Sequence, residues 1–147
     1  MIFKIDLEKA YDNVSWTFLR DTVLELNLNL SWVELIMNCV TSVNSTILWN
    51  REQIRDFHPR KGLPQGDPLS PYLFVLCMER LSNLIFGRVN CGEWKGITAF
   101  VKGPEISHLF FADDLLLFVK ANTKNYDNIM EILSQFSNHL GVESEFG

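Results

Sequence analysis

The chain has 147 residues, enough for one domain or part of one, and 47% of them are hydrophobic and 21% charged. This composition supports a folded core and argues against disorder. The net charge of −5 argues against autonomous nucleic-acid binding, because such affinity comes largely from neutralised phosphates.

Targeting features are missing from the sequence as it stands. No apolar run reaches the ~18 residues of a membrane span, and residues 1–6 lack the basic and apolar regions of a signal peptide. We therefore expect no membrane association and an intracellular location, with nucleus and cytoplasm both open. The three cysteines have wide spacing and no CxxC pattern, which predicts free thiols, with Cys39 and Cys77 in the core.

The first half of the chain predicts a strand followed by two helices. Residues 2–6 read as a short strand that ends in an acid, and Ser15 is a plausible N-cap for the next helix. Ser31 and Glu34 form a capping-box pattern that predicts the start of the second helix. The predicted apolar faces are Phe18, Leu19, Thr22, Val23 and Leu26 on the first helix and Trp32, Ile36, Cys39, Val40 and Val43 on the second.

The middle of the chain predicts a hairpin, a loop and a buried helix. The sequence predicts two strands of a hairpin at residues 45–50 and 53–58. The loop that follows, Gly62 to Pro71, is rich in helix breakers. Ser70 as N-cap and Pro71 at the first helical position predict a third helix. Because it is apolar on nearly all sides from Tyr72 to Met78, we expect it in the interior.

The last third predicts a second hairpin and a final helix. Residues 107–119 read as two apolar strands hinged on Asp113 and Asp114, and an amphipathic helix runs from Thr123 to Leu140 with Gly141 as its C-cap. The predicted fold class is therefore α+β, with an antiparallel sheet covered by helices. The predicted apolar stripe of the last helix is Tyr126, Ile129, Met130, Leu133, Phe136 and Leu140.

Two adjacent carboxylates inside an apolar hairpin suggest a metal site. Asp113 and Asp114 repel each other unless a cation is present, and Mg²⁺ favours hard carboxylate oxygens. A two-metal site needs a further acid, and Asp6 at the end of the first strand is the candidate. Taken alone, Asp6 also fits a strand-end or helix-capping role, and Asp12 is a rival that its neighbours suggest is a capping or turn residue.

Three segments resemble the palm of reverse transcriptases of LINE-type (non-LTR) retroelements. Phe3 to Asp12 is similar to their first palm motif, Gly62 to Phe74 to their Gln-Gly-centred motif, and Phe111 to Asp114 to their catalytic hairpin. The three occur in the family's order and span nearly the whole chain. The resemblance implies an RRM-like polymerase palm over residues 1–147, with no complete second domain and with fingers and thumb absent.

The family's activity gives each matching residue a role. The resemblance implies an RNA-directed DNA polymerase that acts on an RNA template, a DNA primer and deoxynucleoside triphosphates. Asp6 and Asp113 would bind two Mg²⁺ ions, or Mn²⁺ in their place, Asp114 would support the site, and the Leu7 carbonyl would ligate the ion carried by the nucleotide. The other implied roles are a ribose-excluding gate for Tyr11 and a lining of the nucleotide and template-base pocket for Gln65 and Gly66.

Each of these residues also has a purely structural interpretation. Taken alone, Tyr11 fits a half-buried core aromatic and Gly66 a turn glycine. Lys4 and Lys9 flank Asp6, where they would neutralise phosphates or the acids, but solvated lysines are the favoured interpretation. The scattered histidines suggest no metal site, and the core is the expected place for Trp16, Trp32, Trp49 and Trp94.

One alternative is a chain that has the same fold but no catalytic activity. The chain would then be a catalytically inactive, RRM-like nucleic-acid-binding module or a pseudogene remnant. The acidic residues 143–147 replace the pattern that the family usually continues with, and the net charge is −5. We therefore expect little or no polymerase activity from these residues without the fingers and thumb of a parent polyprotein.

Overall fold

The computed structural model describes residues 1–7, 9–53, 56–101, 103–111 and 114–140. The chain forms two compact units, Met1–Ala10 with Met78–Gly147, called unit 1, and Tyr11–Cys77, called unit 2. None of the helices in the described residues is long and apolar enough to cross a membrane. The elements in chain order are β1 (Ile2–Asp6), α1 (Ala10–Asn13), α2 (Trp16–Leu24), α3 (Leu30–Thr41), β2 (Leu48–Trp49), β3 (Glu52–Gln53), α4 (Ser70–Asn90), β4 (Ile97–Thr98), β5 (Glu105–Ile106), β6 (His108–Phe111), β7 (Asp114–Phe118) and α5 (Thr123–Leu140).

Unit 1 is built on a three-stranded antiparallel sheet with the order β1-β7-β6. Its burial alternates along the strands, as a sheet with one covered face requires. Leu115 and Leu117 are fully buried, whereas the residues on either side of each, Asp114, Leu116 and Phe118, are only half-buried. The sheet therefore has one face in the core and one face open to solvent.

Helix α5 covers this sheet with an apolar stripe. The 3.6-residue period of its sequence places one face of the helix in the core, and the Phe3 ring of β1 lies 6.4 Å from the Tyr126 ring. The predicted bounds of α5 and its buried positions Ile129, Leu133, Phe136 and Leu140 are confirmed. Tyr126, also predicted in the stripe, is 48% exposed, and Met130 is half-buried. The predicted C-cap Gly141 lies outside the described residues. The α+β fold class is confirmed.

A short hairpin in unit 1 was not predicted. Strands β4 and β5 pair antiparallel, and the backbone N–H of Gly96 donates to the Glu105 carboxylate at 2.5 Å. A Cβ added at Gly96 would lie 2.3 Å from the Ile106 carbonyl oxygen, so only glycine permits this approach. Two residues per strand are too few for the alternation that identifies strands in a sequence.

Unit 2 begins with two helices whose caps follow from polar side chains. Ser15 caps α2 as predicted, and its hydroxyl accepts from the Phe18 N–H. The predicted start of α3 at Ser31 is wrong, because the Asn29 side chain accepts from the Ser31 N–H and the helix begins at Leu30. The buried residues of α3 are Val33, Met37 and Val40.

The predicted apolar stripe of α3 was therefore out of phase by one residue. Trp32 is 60% exposed and Cys39 is exposed, so the prediction of both in the core was wrong. Leu26 is also exposed, because it lies beyond the end of α2. All three cysteines are free, as predicted, and Cys77 is buried.

Helix α4 begins one residue earlier than predicted. The Leu69 carbonyl accepts the first helical hydrogen bond from the Leu73 N–H, so Ser70 is the first helical residue and not the N-cap. Its start was also expected to be buried all round, which is wrong, because Tyr72 is 72% and Val75 is 62% exposed. Pro71 was predicted at the first helical position and is the second residue of the helix, still within its first turn.

Candidate active site

The end of the sheet in unit 1 brings two of the predicted acids together. Strand β1 ends at Asp6, strand β7 begins at Asp114, and the two residues are directly paired in the antiparallel register. Directly paired residues project from the same face with Cβ atoms about 4.5–5.5 Å apart. Because Lys4 and Asp6 are exposed while Ile5 is half-buried, this is the open face of the sheet. Both carboxylates are thus accessible to an ion from solvent.

A lysine accompanies the acids on that face. The Lys4 ammonium lies 3.1 Å from the Asp114 Oδ1, and both side chains remain partly exposed. Of the two interpretations given for Lys4, the contact supports neutralisation of an acid. Exposed pairs of this kind contribute about 0–1 kcal/mol to stability, so the effect of this pair is mainly to offset one of two neighbouring negative charges.

The third acid, Asp113, lies outside the described residues, as does Ala112. In the part of the chain that is described, no group of three His, Cys, Asp or Glu side chains could hold a metal ion. Leu7, whose carbonyl is the fourth predicted ligand, directly follows Asp6 and is half-buried. The described part of the predicted metal site is therefore an acid pair with one adjacent backbone carbonyl.

The predicted nucleotide-binding loop belongs to unit 2, where it is anchored to the segment around α1. The Gly62 N–H donates to the Val14 carbonyl, and the Gly62 carbonyl accepts from the Trp16 indole at 2.8 Å. Gly62 has φ of +90°, and a Cβ there would lie 2.8 Å from the Asp12 carbonyl oxygen. Close backbone packing and a left-handed conformation both demand glycine at this position.

Gln65 is oriented by an acid that precedes it by 53 residues. Its amide Nε2 donates to the Asp12 Oδ1 at 3.0 Å. The next residue, Gly66, has φ of +87°, and a Cβ there would meet nothing within 4 Å. The turn conformation, not a lack of space, therefore demands glycine at position 66.

Tyr11 lies at the start of unit 2 with its ring stacked on Phe74. The ring centroids are 4.5 Å apart and the planes 26° from parallel, which fixes the position of the phenol. Desolvation raises the pKa of Tyr11 above its usual value, so the phenol stays neutral at physiological pH. The half-buried setting agrees with the core interpretation, and the gate role stays a prediction.

A cavity of about 380 Å³ lies within unit 2 beside this loop. Apolar walls and a few polar groups of this kind are typical of ligand sites. At its rim Lys61 donates to the Asn13 Oδ1 at 2.8 Å and Asp12 holds Gln65. The cavity is lined by Asp12, Trp16, Val40, Val43, Ser45, Phe57, Pro59, Lys61, Gly62, Leu63, Pro64 and Gln65.

Two features of the site were missed in the sequence. Asp12 was assigned to capping or turn duty, yet it orients Gln65 and lines the cavity. For Lys4 solvation was favoured over neutralisation of the acids, yet Lys4 pairs with Asp114. Residues that are far apart in the sequence make both contacts. The alternation of β1 does place Lys4 and Asp6 on one face, and that was the available signal.

The fold and the acid pair define an α+β domain that carries carboxylates at the end of an antiparallel sheet. The family model of the reverse transcriptases (RNA-dependent DNA polymerases) matches residues 1–145. The chain belongs to this family.

Three relatives are similar to this chain, and two of them are Pol polyproteins of retrotransposable elements. An uncharacterised mitochondrial protein of Arabidopsis thaliana is 54% identical over 56 residues, which cover 38% of this chain and 46% of that protein. The Pol polyprotein of the type-2 retrotransposable element R2DM of Drosophila melanogaster is 29% identical over 81% of this chain and 10% of its own length. That of a type-1 retrotransposable element R2 of Popillia japonica is 30% identical over 79% and 18%.

These relatives confirm the LINE-type resemblance of the three motifs. The matched part of this chain corresponds to less than half of the length of each of these relatives.

Proposed function

We propose that this chain is the palm segment of a LINE-type RNA-directed DNA polymerase. It would act in the transfer of deoxynucleotides onto a DNA primer along an RNA template. The observation that carries the proposal is the direct pairing of Asp6 with Asp114 on the open face of the sheet. Membership in the reverse transcriptase family supports it.

The donor atoms at this edge fit divalent ions such as Mg²⁺ or Mn²⁺. Carboxylate and carbonyl oxygens are the hard ligands that Mg²⁺ prefers, and the exposure of Asp6 leaves room for a hydrated ion. Asp6, Asp113, Asp114 and the Leu7 carbonyl would hold two ions. The bound ions would align the reacting oxygens and neutralise charge during transfer.

The residues of the chain itself would position the substrate. The contact with Asp12 orients the Gln65 amide and leaves one N–H and the carbonyl oxygen for a nucleotide or template base. Lys4 would limit the repulsion between Asp6 and Asp114 before an ion arrives. Tyr11, held by Phe74, would exclude a ribose 2′-OH by its volume.

Metal binding tests the centre without requiring catalysis. We expect the chain to bind Mn²⁺, measured by calorimetry or electron paramagnetic resonance, and Asp6→Asn and Asp113→Asn to weaken that binding at least tenfold. Asp127→Asn is the matched control, because Asp127 is an exposed acid on α5 in the same unit. Equal binding by all variants, or none by the wild type, would favour the inactive nucleic-acid-binding module.

Sugar selection tests Tyr11 in a polymerase that contains this segment together with fingers and thumb. Tyr11→Phe should keep the ratio of kcat/KM for deoxy- over ribonucleotides, and Tyr11→Ala should lower it. Asp113→Asn should instead abolish incorporation of both kinds of nucleotide, because it removes a metal ligand. Tyr11→Ala removes only the bulk that would exclude a ribose 2′-OH. An unchanged ratio in Tyr11→Ala with a lower Tm would show that Tyr11 is only a core aromatic. The 147 residues alone should extend a primer poorly or not at all.

A further inference from the structure

The hairpin of β2 and β3 exposes apolar side chains on both of its faces. Leu48 is 69% and Trp49 is 67% exposed, and Ile47 just before them is 52% exposed. The prediction of Trp49 in the core is therefore wrong. Because nothing in the described chain covers these side chains, they do not stabilise the fold, and contiguous exposed apolar groups of this kind commonly mark interaction sites.

The segment that contains this hairpin is basic within an acidic chain. Residues 45–61 carry four of the chain's 13 cationic residues and only two of its 18 acids. The net charge of this segment is therefore positive, although that of the whole chain is −5. The charged residues of the segment are Arg51, Arg55, Arg60 and Lys61 against Glu52 and Asp56.

The turn of the hairpin has an unusual residue at its tip. Asn50 has φ of +51° and Arg51 has φ of +68°. Turns that need two positive φ values favour Asn followed by Gly, and an L residue in this conformation is disfavoured relative to glycine. Strained residues of this kind cluster at ligand-binding sites. Arg51 thus occupies a position where glycine would suit the fold better.

The base of the hairpin lies beside the cavity in unit 2. Ser45 and Phe57 form the bridge at its base through two backbone hydrogen bonds of 3.0 and 2.9 Å, and both residues also line the cavity. From Ser45 to Trp49 an extended chain covers roughly 13 Å. A ligand that occupied the cavity could therefore continue along the hairpin to the exposed ring of Trp49.

We propose that residues 45–53 and 56–61 form a binding surface for single-stranded nucleic acid. Bases would stack on Trp49, and Arg51 with Lys61 would contact phosphates, which is the combination that holds single strands without sequence preference. Glu52, directly paired with Trp49, opposes the strand's charge and limits the affinity. The occupant is a polyanion, because this segment has four cationic residues against two acids in a chain whose net charge is −5.

This inference rests on the proposed function for the identity of the strand, which would be the unpaired template. The two ideas can nevertheless fail separately. Strand binding at the hairpin needs no metal and none of the acids of the sheet, so it is measured in EDTA. The loss of metal binding in Asp6→Asn would leave the hairpin result unchanged.

Fluorescence anisotropy with a labelled oligouridylate tests the surface in the full chain at low salt. Trp49→Ala should weaken binding about 5- to 100-fold, the range for loss of one stacked base, and Trp49→Tyr should restore most of it. Arg51→Gly should lower the slope of log K against log salt concentration by about 0.7, as expected for one lost phosphate contact. Glu52→Gln should strengthen binding.

Two matched controls separate this site from general effects. Trp32→Ala removes an equally exposed tryptophan on α3, and Lys124→Ala removes an exposed cation on α5. Both should leave affinity within about twofold of the wild type. Absence of wild-type binding, or equal losses in Trp32→Ala and Trp49→Ala, would overturn the proposal. So would a Trp49→Ala variant that dissociates a dimer of the chain in sedimentation but keeps its affinity for the oligouridylate, because the surface would then bind protein.

Discussion

Two hairpins of this chain differ in whether one of their faces is buried. In the hairpin of β6 and β7, Leu115 and Leu117 on one face are 0% and 1% exposed, whereas Leu109 and Phe111 on the other face are 51% and 82% exposed. In the hairpin of β2 and β3, Leu48 and Trp49 point to opposite faces, and both are more than two-thirds exposed. A pattern of apolar residues therefore has different consequences in the two hairpins.

The difference lies in what covers each hairpin. The first carries an acid, Asp114, at its end, and its buried face fixes the register that pairs this acid with Asp6. The second has no covered face, so burial does not fix its register, and its turn is formed by Asn50 and Arg51 with positive φ. The first hairpin contributes stability through its buried face, whereas the apolar side chains of the second hairpin lie on the surface.

The largest expected contrast between the hairpins is in stability. Leu117→Ala should lower the free energy of unfolding of unit 1 by about 2–5 kcal/mol, because it leaves a cavity in the core. Leu48→Ala should change stability by less than about 0.5 kcal/mol, as for surface substitutions in general. Urea denaturation followed by circular dichroism measures both. A loss above 2 kcal/mol in Leu48→Ala would mean that the second hairpin is covered in solution and that our comparison is wrong.

The elements of this fold were predictable where a period was long enough to be read. The bounds of β1 and α5 were predicted to the residue, and both hairpins were found. The predicted strand bounds of the earlier hairpin, 45–50 and 53–58, were wrong, because its strands are only Leu48–Trp49 and Glu52–Gln53. The exposure of Trp32, Cys39 and Trp49 was not predictable, because hydrophobicity indicates that a residue favours burial and not whether a partner exists. In α3 an error of one residue in the helix face exchanged buried for exposed positions.

The site was predictable in its residues and not in its contacts. The position of Asp6 at the end of a strand and the hairpin around Asp113 indicated an acid cluster, and the structure pairs Asp6 with Asp114. No local pattern links Gln65 to Asp12, because the contact depends on how the loop folds back onto the residues after α1. Such long-range hydrogen bonds need the fold to be known.

A smaller effect is expected at the turn of the second hairpin. Arg51→Gly should stabilise the hairpin by at most about 1 kcal/mol, because it relieves a left-handed conformation while it gives the unfolded chain more freedom. Asn50→Gly should stabilise it less, since asparagine tolerates this conformation. Amide hydrogen exchange at Ser45 and Phe57, which pair at the base, measures the change.

The Arg51 variant also sharpens the comparison between fold and surface. It should stabilise the hairpin and weaken strand binding at once, which is the expected result if Arg51 is retained for a ligand. A destabilised hairpin in Arg51→Gly would instead show that the arginine contributes to the fold. The turn of β2 and β3 would then stabilise the fold, as the hairpin of β6 and β7 does.

The smallest expected effect is a pH dependence in the first hairpin. His108, at the start of β6, donates to or accepts from the hydroxyls of Ser82 and Ser107, each at 2.9 Å. Its ring also lies edge-on to Phe86 and Phe110. Desolvation by this packing lowers the pKa of His108 below the usual 6.5, and the charge of Glu79 opposes the shift.

Because the folded state binds the proton of His108 less readily than the unfolded state, acid favours unfolding. The contribution is fully present above about pH 6.5 and is lost as the pH falls through the lowered pKa of the folded state. His108→Gln keeps a polar group beside Ser82 and removes this titration. We expect the wild type to lose more stability than His108→Gln between pH 7 and pH 5, measured as the difference in urea midpoints. Equal losses in the two proteins would assign the acid sensitivity to groups outside this hairpin.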